Sequence, residues 1–79
     1  RIENLLLTVE GRRSEFGQFL RFETLTLCPL DRSLLDMSLL TPAETAWVDD
    51  YHRRVRDAIL GHLDGASAEW LEEQCAPLP

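Results

Sequence analysis

The tetrapeptide "TPAE" at residues 41–44 restricts the fold of this chain more than any other stretch. Thr41 stands where a helix N-cap belongs, Pro42 suits the first helical position, and Glu44 can reach back to the cap amide. A reciprocal cap of this kind stabilises a helix by about 1 kcal/mol. The spacing predicts a helix over residues 42–63. Trp47, Tyr51, Val55, Ala58, Ile59 and His62 recur at helical steps and form one apolar stripe. Asp49–Arg53, Asp50–Arg54 and Arg53–Asp57 place opposite charges one turn apart on the other surface. "DG" at 64–65 ends the helix, with Gly65 as a left-handed C-terminal cap. Ser67 caps a second, shorter helix over residues 67–75, in which Trp70 and Leu71 face inward, and Pro77 stops it. Both tryptophans, Trp47 and Trp70, read as core.

Upstream of the cap the period changes from helical to alternating. Residues 2–10, "IENLLLTVE", read as a strand, and "GRRSEFGQ" reads as a polar loop. Residues 19–28, "FLRFETLTLC", form a second strand closed by Pro29, which cannot donate to a ladder. The pair is an antiparallel hairpin. Setting Leu7 opposite Phe22 puts Leu5, Leu7 and Val9 on one face with Leu20 and Phe22, and leaves Arg21, Glu23, Leu25 and Leu27 on the other. A sheet apolar on much of both faces needs cover on both sides, which marks this hairpin as the edge of a larger sheet. Residues 29–40 read as an ordered loop with room for one short turn, its leucines packing on the sheet. No internal repeat stands out. The fold class is α+β: a hairpin, an ordered loop, one long helix and one short C-terminal helix.

Size and charge limit the function. The chain has 79 residues, 44% of them hydrophobic and 28% charged, so it makes at most one small domain with a thin core. A formal charge of −6 repels phosphate, which argues against nucleic acid or an anionic membrane as a partner. All eight basic residues are Arg. No apolar run is long enough to span a bilayer, and no signal-peptide pattern is present. Cys28 and Cys75 lack scaffold spacing and read as free buried thiols in a reducing compartment. Cytoplasmic localisation is the default expectation. The chain begins without Met, directly on strand-like residues, so the expectation is that a longer protein precedes it.

Most candidate chemistry reads as structure. His52 and His62 lie nearly three turns apart on one helix, too far to share a metal ion. His52, beside Tyr51, reads as a packing or hydrogen-bonding residue. Neither Cys has CxxC spacing or a basic neighbour that would activate it. No GxSxG and no phosphate loop is present. The acidic run "EWLEE" is a solvated helix face. Glu3 is different, because strand alternation puts it on the face of Leu5, Leu7 and Val9. A carboxylate facing an apolar interior costs several kcal/mol unless it is paired or bound to a metal. Its partner is either a nearby Arg, with Arg1 the nearest, or a functional cation. Composition leaves both open.

Several spaced motifs in order, "RIEN", "LLLTVE", "FLRFETLTLCPLD", "LLDMSLLTPAETAWVDDYHRRVRD" and "WLEEQCAPL", resemble the C-terminal end of Xaa-Pro aminopeptidases of the larger, three-domain, pita-bread form. The resemblance covers essentially the whole chain. It implies that residues 1–10 are the last strand of a catalytic domain and residues 11–79 a C-terminal extension. It implies two divalent ions, often manganese, with Glu3 as the bridging metal ligand and Arg1 orienting the site. It implies hydrolysis of the bond between an N-terminal residue and proline, by a water whose pKa the ions lower. The remaining ligands lie upstream in such enzymes. This chain therefore carries no catalytic residue of its own, and alone is expected to be inactive and to bind no metal. The resemblance also implies a homodimer acting on peptides with proline second. The rival reading is a non-catalytic structural or dimerisation module, working through the sheet edge or the Trp-bearing helix.

Overall fold

A computed structural model describes all residues from Arg1 to Pro79. Strand β1 spans Leu6–Ser14 and pairs antiparallel with β2, Gly17–Thr24. The strands continue through the stretch expected to be an eight-residue loop, leaving only Glu15 and Phe16 in the turn. Polarity there marks exposure to solvent on both faces, not loss of pairing. Gly17 makes the reversal possible with φ +122°, a region that disfavours a Cβ, and Ser14 Oγ accepts from the Phe16 amide at 3.2 Å. A bulge sits between Glu10 and Arg13, where Gly11 and Arg12 oppose Phe19. A Cβ on Gly11 would lie 3.2 Å from the Phe19 carbonyl oxygen, so the position favours glycine. Gln18 Nε2 stitches the bulge by donating to the carbonyls of Gly11 and Phe19, each at 2.9 Å.

The register differs by one residue from the expected one. Leu7 pairs with Glu23 and Thr8 with Phe22, so Leu5, Leu7 and Val9 share a face with Arg21 and Glu23. Leu6 and Thr8 take the other face with Leu20 and Phe22. The two-residue turn and the bulge together set this pairing. Each face is now a mixture of apolar and charged side chains, and both stand open: Leu5 and Phe22 are each 68% exposed. The accessible surface is 6210 Å², against about 4,900 Å² for a compact chain of this mass. The hairpin extends from the body as an arm.

Residues 29–40 hold a short tandem repeat that the sequence reading passed over. "DRSLL" at 31–35 and "DMSLL" at 36–40 each fold into one 3-10 turn, over Arg32–Leu34 and Met37–Leu39. In each, the Asp Oδ1 accepts from the Ser amide at 3.0 Å and the Ser hydroxyl at 2.6 Å. These bonds hold the Asp31 and Asp36 carboxyls below their ordinary range, the serine hydroxyl contributing most. The first Leu of each pair, Leu34 and Leu39, points outward, and the second, Leu35 and Leu40, is half-buried.

Helix α1, Pro42–Ile59, starts as expected. Thr41 Oγ1 accepts from the Glu44 amide at 3.1 Å, and Glu44 Oε1 accepts from the Thr41 amide at 2.9 Å. Its last turn tightens into a 3-10 turn over Leu60–His62, close to the expected end. Helix α2 spans Gly65–Gln74, two residues ahead of the expected start. Gly65 does adopt a left-handed φ of +54°, yet it opens α2 instead of closing α1. Ser67 consequently lies inside the first turn and caps nothing.

The core is small. Val48, Tyr51, His52 and Val55 of α1 are buried with Leu71 and Cys75, and Leu27, Leu30, Ile59, Leu60 and Leu63 pack around them. Tyr51, Val55 and Ile59 hold their expected places in the stripe, but Val48 and His52 complete it where Trp47 and His62 were expected; Trp47 and Trp70 are 47% and 53% exposed and are not core residues. Trp47 instead stacks on Tyr51, ring centroids 5.5 Å apart. The expected four-residue ion pairs do not form either. Asp49 accepts from the Leu78 amide and Arg54 donates to the Thr24 carbonyl, while Asp50 pairs with Arg53 at 2.7 Å. Backbone groups that lack ladder partners have taken the charges. Both thiols are free, with Cys75 buried and Cys28 exposed. Burial pushes the Cys75 thiol up.

Replacing Thr41 with Ala should lower unfolding stability by about 1 kcal/mol, read from the denaturant midpoint. A change near zero would mean that tertiary contacts alone hold the start of α1.

Candidate functional site

The segment from Thr26 to Leu30 crosses α1 without regular structure, so its backbone polar groups need side-chain partners. Two neighbouring residues of α1 provide them. The Tyr51 hydroxyl accepts from the Cys28 amide at 3.2 Å and donates to the Cys28 carbonyl at 2.7 Å. His52 Nε2 accepts from the Leu30 amide at 3.0 Å. Pro29, between them, has no amide proton to satisfy.

His52 is fully buried, and its accepting Nε2 places the ring proton on Nδ1, which has no partner. Burial holds its pKa below the ordinary value, Arg32 lowers it further, and Asp49 opposes both. Arg32 meanwhile grips the end of α2, donating to the carbonyls of Glu73 at 2.8 Å, Ala76 at 3.2 Å and Pro77 at 3.2 Å. His52 is therefore the hydrogen-bonding residue its sequence neighbourhood indicated, and His62 is exposed at the far end of the same helix.

Next to this crossing lies an open concavity of about 560 Å³. Glu3, Asn4, Thr26 and Tyr51 line it on one side, and Leu34 and Leu39 on the other. Glu3 lies ahead of β1 and does not continue its apolar row. Its carboxylate is 69% exposed and pairs with Arg1 at 3.3 Å. Both partners are solvated, so this pair adds little stability. The structure thus brings Arg1 and Glu3 together at the lip of a concavity. No cluster of three or more His, Cys, Asp or Glu side chains suited to a metal ion exists in the chain.

Comparison with known proteins places this architecture. A family model described as the C-terminal region of peptidase_M24 matches residues 18–78. The chain belongs to that family. It is 39% identical over 99% of its length to a probable Xaa-Pro aminopeptidase P of Laccaria bicolor, and 40% identical over 99% to aminopeptidase P1 of Lotus japonicus. It spans only 13% and 12% of the length of those two relatives. A crystal structure of X-prolyl aminopeptidase from Caenorhabditis elegans, described as a cytosolic enzyme with a di-nuclear active site, matches 98% of the chain with a TM-score of 0.76 at 39% identity. The chain covers 13% of that structure. The likeness read from the motifs is borne out, as is the α+β architecture. No helix is long and apolar enough to cross a membrane.

The sequence reading missed Tyr51 and Asn4. The available signal was Tyr51 itself, since a tyrosine in a buried stripe must find a partner for its hydroxyl. For His52 the hydrogen-bonding role was legible, and the structure adds its partner, the Leu30 amide. The pH dependence has a definite sign. Unfolded His52 titrates near the ordinary value of about 6.5, whereas the folded residue resists protonation. The unfolded state then binds more protons, so stability is complete above about pH 6.5 and is lost as pH falls below it. Asp31, Asp36 and Glu44, all with lowered pKa, lose their contributions only in more acid solution. His52→Gln, which keeps an acceptor for Leu30, should lose less stability than wild type between pH 7 and pH 5 in urea titrations. Equal losses would exclude His52 as the cause.

Proposed function

We propose that this chain is the C-terminal part of a dinuclear, metal-dependent aminopeptidase that cleaves between an N-terminal residue and proline. The likeness over the whole chain to named Xaa-Pro aminopeptidases carries the proposal. In this reading Glu3 would be a ligand to the two divalent ions, manganese being the expected metal, and Arg1 would hold its carboxylate in orientation. The donor chemistry fits a single-ligand contribution: Glu3 is a hard oxygen donor at an open lip, held only by a solvated Arg. Such ions supply Lewis acidity and a nucleophilic water at neutral pH. Every other ligand, and the groups that recognise a proline-containing peptide, belong to protein outside these residues. The chain alone is accordingly inactive. Activity is expected in the cytosol, as described for the Caenorhabditis elegans enzyme.

One observation favours a second role. The hairpin exposes apolar side chains on both faces, Phe22 and Leu5 among them, and an isolated two-stranded sheet is marginal in water. A homodimer contact through this region is compatible with the enzymatic reading, and alone it would make the chain a structural module.

Glu3→Gln in the full-length protein should abolish turnover of an Xaa-Pro peptide while leaving the circular dichroism spectrum intact; near-normal activity would overturn the assignment. If the hairpin is a contact between copies, the 79-residue chain should sediment as a dimer or larger species. A monomer at high concentration would remove the structural reading.

A further inference from the structure

The geometry points to Tyr51 as a positioning residue for Glu3, fixing from the C-terminal extension the strand lead-in that carries the metal-binding carboxylate. This inference rests on the reading of Glu3 as a ligand. Residues 1–5 lie outside regular structure, so no ladder sets their course. A short chain of hydrogen bonds sets it instead. The Leu5 amide donates to Thr26 Oγ1 at 2.9 Å, and the Leu5 carbonyl accepts from the Leu25 amide at 2.8 Å. The segment they attach to is itself held by the Tyr51 hydroxyl, which lies 2.7 Å from the Cys28 carbonyl oxygen and 3.1 Å from that of Thr26. The same hydroxyl stands 3.4 Å from the Asn4 carboxamide.

A phenol has one proton to give. The Cys28 carbonyl is nearest and takes it, so Asn4 Oδ1, at 3.4 Å, is a secondary contact of the hydroxyl and not its main tie. The tie to α1 therefore runs from Tyr51 through the Thr26–Cys28 segment to Leu5, two residues from Glu3. Tyr51 is buried and stacked on Trp47, so its ring cannot swing to follow a moving strand. The post is rigid and the carboxylate next to it is free to bind. Arg54 makes a separate tie from the same helix, to the Thr24 carbonyl at 3.0 Å. That bond steadies the end of β2 without touching residues 1–5. It supplies the comparison a test needs.

The test is manganese(II) binding to the full-length protein, followed by isothermal titration, with thermal melting of the metal-free protein alongside. Tyr51→Phe keeps the stacked ring and removes only the hydroxyl. Its manganese affinity should fall about tenfold or more, the range seen when a residue supporting a metal ligand is lost, and Arg54→Gln should leave affinity unchanged. Thr26→Val, which removes the acceptor for Leu5, should act in the same direction as Tyr51→Phe and decides the matter if that variant does not fold. Unchanged affinity in Tyr51→Phe or, failing that variant, in Thr26→Val, while Glu3→Gln loses a bound ion, overturns the positioning role and leaves the proposed function standing. Equal weakening in Tyr51→Phe and Arg54→Gln also overturns it, since general loosening would then suffice. Full manganese binding by Glu3→Gln would remove Glu3 as a ligand, and this inference with it.

Discussion

Irregular chain buried against a helix must have its amides and carbonyls answered, and here the answer comes from two adjacent side chains of α1. Tyr51 serves Cys28 and His52 serves Leu30. Without them the crossing segment would bury unsatisfied polar groups, each costing about 1–3 kcal/mol. With them, the hairpin arm, the tandem turns and the helical body share one anchor. The arrangement depends on His52 staying neutral. Arg32 serves this from the other side: its guanidinium closes the carbonyl end of α2 and also disfavours a second positive charge on the nearby imidazole. One arginine thus ties helix capping to the protonation state of a core residue.

The helical half was largely legible because its signals are local. Thr41, Pro42 and Glu44 act within one turn, and their reciprocal bonds form as the sequence indicates. The buried stripe was legible at Tyr51, Val55 and Ile59 and not at Val48 and His52, because Trp47 is a strong apolar signal while His52 is a weak one. Two contacts reversed that order: Trp47 stacks on Tyr51 of the same helix near the surface, and His52 accepts from the Leu30 amide beyond it. The hairpin was recognised but misregistered. Its turn chemistry lay inside "GRRSEFGQ", whose polarity masked both the bulge at Gly11 and the tight reversal at Gly17. The ion pairs of α1 were misread for a similar reason: Asp49 and Arg54 are drawn away by backbone groups distant in sequence.

The candidate site was legible in part. Motif likeness singled out Arg1 and Glu3, and the structure sets them side by side at the edge of a concavity. Alternation alone turned Glu3 inward, whereas the strand begins only at Leu6 and the carboxylate stands in solvent. The features that give the site its frame, namely Asn4, Thr26 and the Tyr51 hydroxyl, come from three separate stretches of chain. No window of sequence contains them together, and only folding brings them within bonding distance.

The two Asp-Ser turns differ from the rest of the chain in how they close, although Arg32 of the first also reaches the end of α2. Each closes on its own aspartate and repeats the outward–inward leucine pair after five residues. Neither closure draws on the other, so losing Asp36 would open the second turn and leave the first, with Arg32, in place. A residue inserted between either aspartate and its serine would break that closure and turn the leucines behind it out of phase.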